Sequence, residues 1–218
     1  MRRQWWWGLG LAFALASQGA LAGDESLAIN RQQVRVWTVA EPGEPLRGFR
    51  AVTTVRSSLS ALVSLLMDTN AAPRWIYRTR RIDVLRCDEA AGTFVVLAEM
   101  DFWPLANRDV VVEGHVTQDP ATLGVTIDSR SVSLASAPPR EGRVRMPAMR
   151  GRWEFRPLGG GMVEVTMTGH ADPGGHIPDF LVNLMIKETP YQTLLGMRRV
   201  IAAPAYQQSR YAGIREPK

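Results

Sequence analysis

Apolar and polar positions alternate with a period of two through much of the chain. The alternation predicts strands at Val34–Val39 (VRVWTV), Phe49–Val55 (FRAVTTV), Arg80–Leu85, Thr93–Met100, Asp109–Thr117, Val125–Leu134, Gly151–Pro157 and Met162–His170. Each mixes an apolar with a polar face, which suits an antiparallel sheet covered on one side. Tight connections are marked by Asp88-Glu-Ala-Ala-Gly92 and Gly159-Gly160-Gly161.

Two stretches change period. Leu59, Leu62, Val63, Leu66 and Met67 share one helical face, with Ser57 or Ser58 in place to cap it. The second stretch follows Asp172-Pro-Gly-Gly175, which ends the last strand because proline cannot join the ladder. Pro178 suits a helix start and Asp179 its first turn. Leu181, Leu184, Met185, Tyr191, Leu194 and Leu195 then predict an apolar face on a helix running to about Gln207, kinked or split at Pro190. At 1.5 Å per residue it would span about 45 Å, enough to cross a whole sheet. The expected fold is α+β: a curved antiparallel sheet wrapped around a long C-terminal helix, with an apolar hollow between them.

Composition narrows the function. The chain has 218 residues, 45% hydrophobic and 22% charged, enough for one sizeable core. Arg2 and Arg3, an apolar run from Trp5 to Leu15 and Ala20-Leu21-Ala22 predict a secretory signal peptide over residues 1–22, with cleavage before Gly23 and a periplasmic or secreted product. Residues 23–210 are expected as one domain and 211–218 as a C-terminal tail. The formal charge of +5 is mild, and no Lys/Arg cluster with interleaved aromatics points to nucleic acid. Cys87 is the single cysteine, so no internal disulfide forms, and it is expected as a small buried hydrophobe.

Chemical motifs are sparse. His115, His170 and His176 show neither HxH nor HExxH spacing, so no metal site is expected. No GxSxG is present, and Asp172-Pro-Gly-Gly175 lacks the Lys-Ser/Thr of a phosphate loop. No cofactor is expected. Trp37, Trp75 and Trp153 fit core or edge packing. Trp103, before Pro104 in a loop, fits a gate or a membrane contact instead.

The Phe49-Arg-Ala-Val52 strand, the Ser58–Asp68 helix, Trp75, Trp103-Pro104 with Arg108-Asp109, Val144-Arg145-Met146, Gly151-Arg-Trp153, and Asp172-Pro-Gly-Gly175 with Pro178 and Asn183 together resemble a START domain. This is the lipid-transfer-related domain of the helix-grip (SRPBCC) superfamily, here in an exported, single-domain bacterial style. The resemblance covers roughly residues 27–205. It implies a helix-grip fold whose C-terminal helix closes an apolar tunnel for one lipid or other hydrophobic molecule. It also places the Trp103–Arg108 loop near the tunnel mouth. The partners implied are that ligand and, transiently, a membrane surface, with the protein acting as a monomer.

Candidate ligand contacts are Trp103, Arg108, Arg145, Glu99, His115, Leu181, Leu184 and Met185. For Arg108 and Asp109 the alternative is a structural contact fixing the loop to the sheet, because a buried charge is costly unless paired. Two other functions stay open. One is a helix-grip enzyme, cyclase or hydrolase-like, with Glu99, His115 and Arg145 as acid/base groups. The other is a ligand sensor.

Overall fold

The computed structural model describes residues 24–217, so the signal peptide expected at 1–22 and its cleavage site lie outside the described residues. The strands are β1 (Glu25–Arg31), β2 (Val34–Val39), β3 (Gly48–Arg56), β4 (Thr79–Asp88), β5 (Thr93–Met100), β6 (Asn107–Gln118), β7 (Val125–Ser131), β8 (Arg143–Arg145), β9 (Ala148–Gly159) and β10 (Met162–Asp172). The helices are α1 (Leu59–Met67), α2 (Ala72–Trp75), α3 (Asp179–Val200) and α4 (Pro204–Gln207).

One curved sheet runs in the order β1-β2-β3-β10-β9-β7-β6-β5-β4. Its neighbours pair antiparallel, and β8 adds a short parallel pairing on β6. Both β1 and β8 escape the sequence pattern. ESLAINR is exposed almost throughout, and β8 is three residues long.

The inner face carries the core. Val34, Val36, Ala51, Val55, Phe155, Val163 and Val165 pack with Leu59, Leu62 and Leu65 of α1 and with Tyr191, Leu194 and Met197 of α3. Ser58 caps α1, accepting from the Ala61 N–H at 3.1 Å. A second cap comes from far along the chain. The Glu216 carboxylate accepts from the Leu59 and Ser60 N–H groups at 3.0 and 2.7 Å, where the helix dipole favours an anion. Tyr211 and Ile214 also pack against the core, so residues 211–217 are fastened to the domain and do not trail from it.

The long helix crosses the sheet's inner side in two unequal halves. Its C-terminal half is held hard. A Cβ on Gly196 would stand 2.3 Å from the Trp75 carbonyl oxygen, so only glycine permits this approach of α3 to α2. The β1–β2 turn, with Gln32 and Gln33 at φ 51° and 61°, grips the same half. Tyr191 Oη donates to Gln32 Oε1 at 2.5 Å, and Arg198 donates to Gln33 Oε1 at 2.6 Å. The N-terminal half leaves Phe180 and Leu184 in solvent. Of the kink or split expected at Pro190, the split does not occur: α3 runs through that buried residue, and the chain leaves the helix at Ile201 before α4. Pro178 is the N-cap, so the helix starts at Asp179, one position after the predicted start.

Cys87 is exposed, contrary to its expected burial. It lies on β4, an edge of the sheet whose second half is uncovered.

Candidate functional site: a cavity between the sheet and the C-terminal helix

Strand parity assigns the two faces of β5 and β6. Met100, Ala98 and Val96 share one face with Val110 and Val112 opposite them, packed with Met146, Met149 and Ala171. This face continues into a cavity of about 140 Å3. The sheet side contributes Phe49, Met100, Phe102, Met146 and Ala171, and α3 contributes Val182, Met185, Ile186 and Thr189. These α3 positions follow the i, i+3, i+4, i+7 spacing of one helix face. Arg47, Tyr77, Arg78, Gly169, His170 and Pro173 complete the wall.

Two turns frame the mouth. After β10, Asp172 Oδ1 accepts from the Gly174 N–H at 2.8 Å, and Gly174 and Gly175 take φ 65° and 68°, which glycine adopts at little cost. A Cβ on Gly174 would lie 3.0 Å from Pro147 and 3.3 Å from Val144, so the turn also needs the missing side chain for space. Arg108 ties this turn to the β5–β6 loop. It is 2% exposed and donates to the carbonyl oxygens of Pro173 (3.3 Å), Gly174 (3.2 Å) and Ala106. Its guanidinium stands 4.6 Å over the Phe102 ring. Burial lowers its pKa from the ordinary arginine value.

The opposite face of the same strands carries other chemistry. Val95, Leu97 and Val111 lie under the segment around Val132, Leu134 and Ala137. Asp109 shares their parity and is 1% exposed. Arg145 meets it with two bonds, Nε to Oδ1 at 2.7 Å and Nη2 to Oδ2 at 3.2 Å, and also donates to the carbonyls of Ala137 and Pro138.

The START-domain family model matches residues 21–202. The chain belongs to the START family. An uncharacterized protein of Pseudomonas aeruginosa is 30% identical over 179 residues, which cover 82% of this chain and 87% of that protein. A STAR-related lipid transfer protein from Xanthomonas axonopodis matches with a TM-score of 0.75 and 29% identity, over 82% of this chain and 99% of that one. Human STARD10 matches with a TM-score of 0.73 and 20% identity, over 84% and 76% of the two chains, a likeness of fold.

In this START domain the residues singled out from sequence separate into groups. Met185 lines the cavity. Arg108 does not line it but bonds to the wall residue Pro173 and stacks on the wall residue Phe102. Trp103 is 77% exposed, while its neighbour Phe102 points inward as part of the wall. Leu181 is half-buried outside the wall, and Leu184 is 51% exposed. The helix is therefore turned so that Val182, Ile186 and Thr189, not Leu181 and Leu184, face the sheet with Met185.

Glu99, His115 and Arg145 do not meet at the cavity. Glu99 pairs opposite Asp109 on the outer face and binds Arg143 at 2.9 Å. His115 has the same parity and is exposed, in an open hollow of about 650 Å3 lined with charged groups such as Arg86, Glu113 and Asp128. Arg145 is engaged by Asp109. Among the described residues no cluster of three or more His, Cys, Asp or Glu could hold a metal ion.

Arg47 and Arg78 were missed. They sit in the β2–β3 connection and in the turn before β4, where no apolar period marks a face.

Proposed function

We propose that the protein binds one lipid or other hydrophobic molecule between the sheet and α3 and carries it between membranes. START membership supports hydrophobic ligand binding. The observation that carries the reading is the cavity wall. Methionine, valine, isoleucine and phenylalanine from both the sheet and α3 enclose it, so a ligand chain leaving water gains about 25 cal/mol for each Å2 buried.

The cavity volume of about 140 Å3 is small beside the roughly 300–1,000 Å3 of typical ligand pockets. Uptake therefore requires movement of a wall. The N-terminal half of α3 is the wall free to move, since the Gln32–Gln33 turn and Trp75 hold its other half. Pro190 marks the junction and has no N–H to bond the Ile186 carbonyl.

Trp103, Phe180 and Leu184, exposed by 77%, 73% and 51%, flank this wall and the β5–β6 loop. They would enter the membrane interface during transfer, where tryptophan is favoured. Among the described residues no helix is long and apolar enough to cross a membrane. The sequence features of residues 1–22 support export.

The direct test is mass spectrometry of the organic extract of protein purified from its native compartment. A stoichiometric apolar molecule is expected. Extracts without one, from protein that also fails to take up offered lipids, would contradict the proposal.

A further inference from the structure

The charged side chains of the largely apolar cavity wall are arginines that meet no carboxylate among the described residues. Arg47 and Arg78 both line it, and no Asp or Glu does so among the described residues. Arg47 Nη2 donates to the carbonyls of Asp24 (2.8 Å) and Thr38 (3.2 Å), while its buried Nε–H has no partner among the described residues. Arg78 donates once, from Nη1 to the Asp101 carbonyl at 3.3 Å. Its backbone lies at φ 59°, a left-handed conformation that is costly for any residue with a side chain. Arg108 adds a third positive group, stacked on the wall residue Phe102 and bonded to carbonyls alone. The neighbouring carboxylate, Asp109, faces the other side of the sheet, where Arg145 occupies it. His170 also lines the cavity, but its Nε2 faces the Leu46 carbonyl at 3.0 Å.

Several arginines outside the cavity meet a carboxylate: Arg50 with Glu25, Arg152 with Asp128, Arg156 with Glu164, Arg143 with Glu99. Others, such as Arg35 and Arg86, meet none among the described residues, but they do not line the apolar cavity as Arg47 and Arg78 do. Carbonyl oxygens satisfy some of their N–H groups but neutralise none of their charge. A guanidinium with donors to spare is matched to an oxyanion, which accepts two parallel N–H bonds.

We infer that the ligand is an amphiphile with an anionic headgroup, a carboxylate or a phosphate ester, bound by Arg47 and Arg78 with its hydrocarbon between Met100, Met146, Met185 and Ile186. The inference rests on the apolar-ligand reading above and names the ligand class for that cavity. Carboxylate and phosphate ester share the chemistry that two guanidiniums select. A neutral head of similar size would leave the charges uncompensated.

The test is calorimetric binding of four probes delivered from cyclodextrin: oleate and oleyl alcohol, dioleoyl phosphatidic acid and dioleoylglycerol. Near pH 8 the acids are ionised. At least one acid should bind about ten-fold or more tightly than its neutral counterpart, a difference of about 1.4 kcal/mol. The larger ratio tells a free fatty acid from a phospholipid headgroup. In Arg47→Gln/Arg78→Gln, shown to be folded by its thermal transition, both ratios should fall to about two-fold or less. If that variant does not fold, Arg78→Gln alone, which loses the single bond to Asp101, should lower the ratio several-fold. Equal binding of acids and neutral probes to the wild type would overturn the anionic headgroup and leave the apolar-ligand reading standing. Ratios that persist in a folded variant would overturn the role of these arginines. Absence of binding by all four probes would remove both readings.

Discussion

Arg145 holds Asp109 through two parallel bonds, at 2.7 and 3.2 Å, on the face of β6 turned away from the cavity. Asp109 is nearly fully buried, so the pair fastens the segment around Ala137 and the short strand β8 to the sheet. Removing one member of a buried pair strands the other charge and typically costs about 3–5 kcal/mol. Arg145→Met should lower the unfolding free energy by about 3 kcal/mol in urea titrations. Its remaining folded fraction should bind ligand normally. A folded, stable variant that had lost binding would place Arg145 at the ligand after all.

The rotation of α3 can be tested by two glutamates one residue apart. Met185 lines the cavity and Leu184 faces solvent. Met185→Glu places a carboxylate in the apolar hollow, where an unpaired charge costs several kcal/mol or is protonated. Ligand binding at neutral pH should fall by more than about ten-fold and recover in part in mild acid, while Leu184→Glu should keep equilibrium binding within about two-fold. Circular dichroism must show both folded. Equal losses would mean that the helix does not present Met185 to the ligand.

Trp103 separates the rate of exchange from affinity. It is exposed, and its chain neighbour Phe102 lines the cavity. Trp103→Ala should slow transfer from vesicles several-fold with little change in equilibrium affinity, as expected for a group that meets the membrane interface. Unaltered transfer rates would remove Trp103 from that role.

The Glu25–Arg50 pair carries a pH signature. The hydrogen bond from Arg50 holds the Glu25 carboxyl below its usual pKa. A carboxyl depressed in the folded state stabilises above its unfolded pKa and loses that contribution as pH falls through the folded value. The pair is partly exposed, so its worth is about 0.5 kcal/mol. Glu25→Gln should therefore be slightly less stable than the wild type near pH 7, and the two should converge below about pH 4. A gap that persists or widens in acid would show that the pair is not its source.

The fold was legible in sequence wherever one face of an element is polar. The bounds of β2 and α1 coincide with the predicted Val34–Val39 and Leu59–Met67. The cavity face was harder. On β5 and β6 both faces are apolar, because Val95, Leu97 and Val111 are covered by the segment around Ala137 while Val110 and Val112 turn inward. Alternation then cannot tell inside from outside, and Glu99 and His115 fell on the wrong side of that ambiguity. On α3 the largest apolar residues misled for a different reason. Leu181 lies outside the wall and Leu184 stays in solvent, whereas the smaller Val182 and the polar Thr189 face the sheet. Arg47 and Arg78 sit in connections, where position depends on tertiary contacts such as those with Asp24, Thr38 and Asp101.

The central claim is that an apolar ligand lies between the sheet and the N-terminal half of α3. It is tested most directly by photo-crosslinking a fatty acid with a diazirine in mid-chain and mapping the modified residues by mass spectrometry. The account predicts adducts on Met100, Met146, Met185 and Ile186, reduced by excess unlabelled fatty acid. Competable adducts on the outer face instead, around Glu113 and His115, or labelling that excess ligand does not reduce, would contradict it.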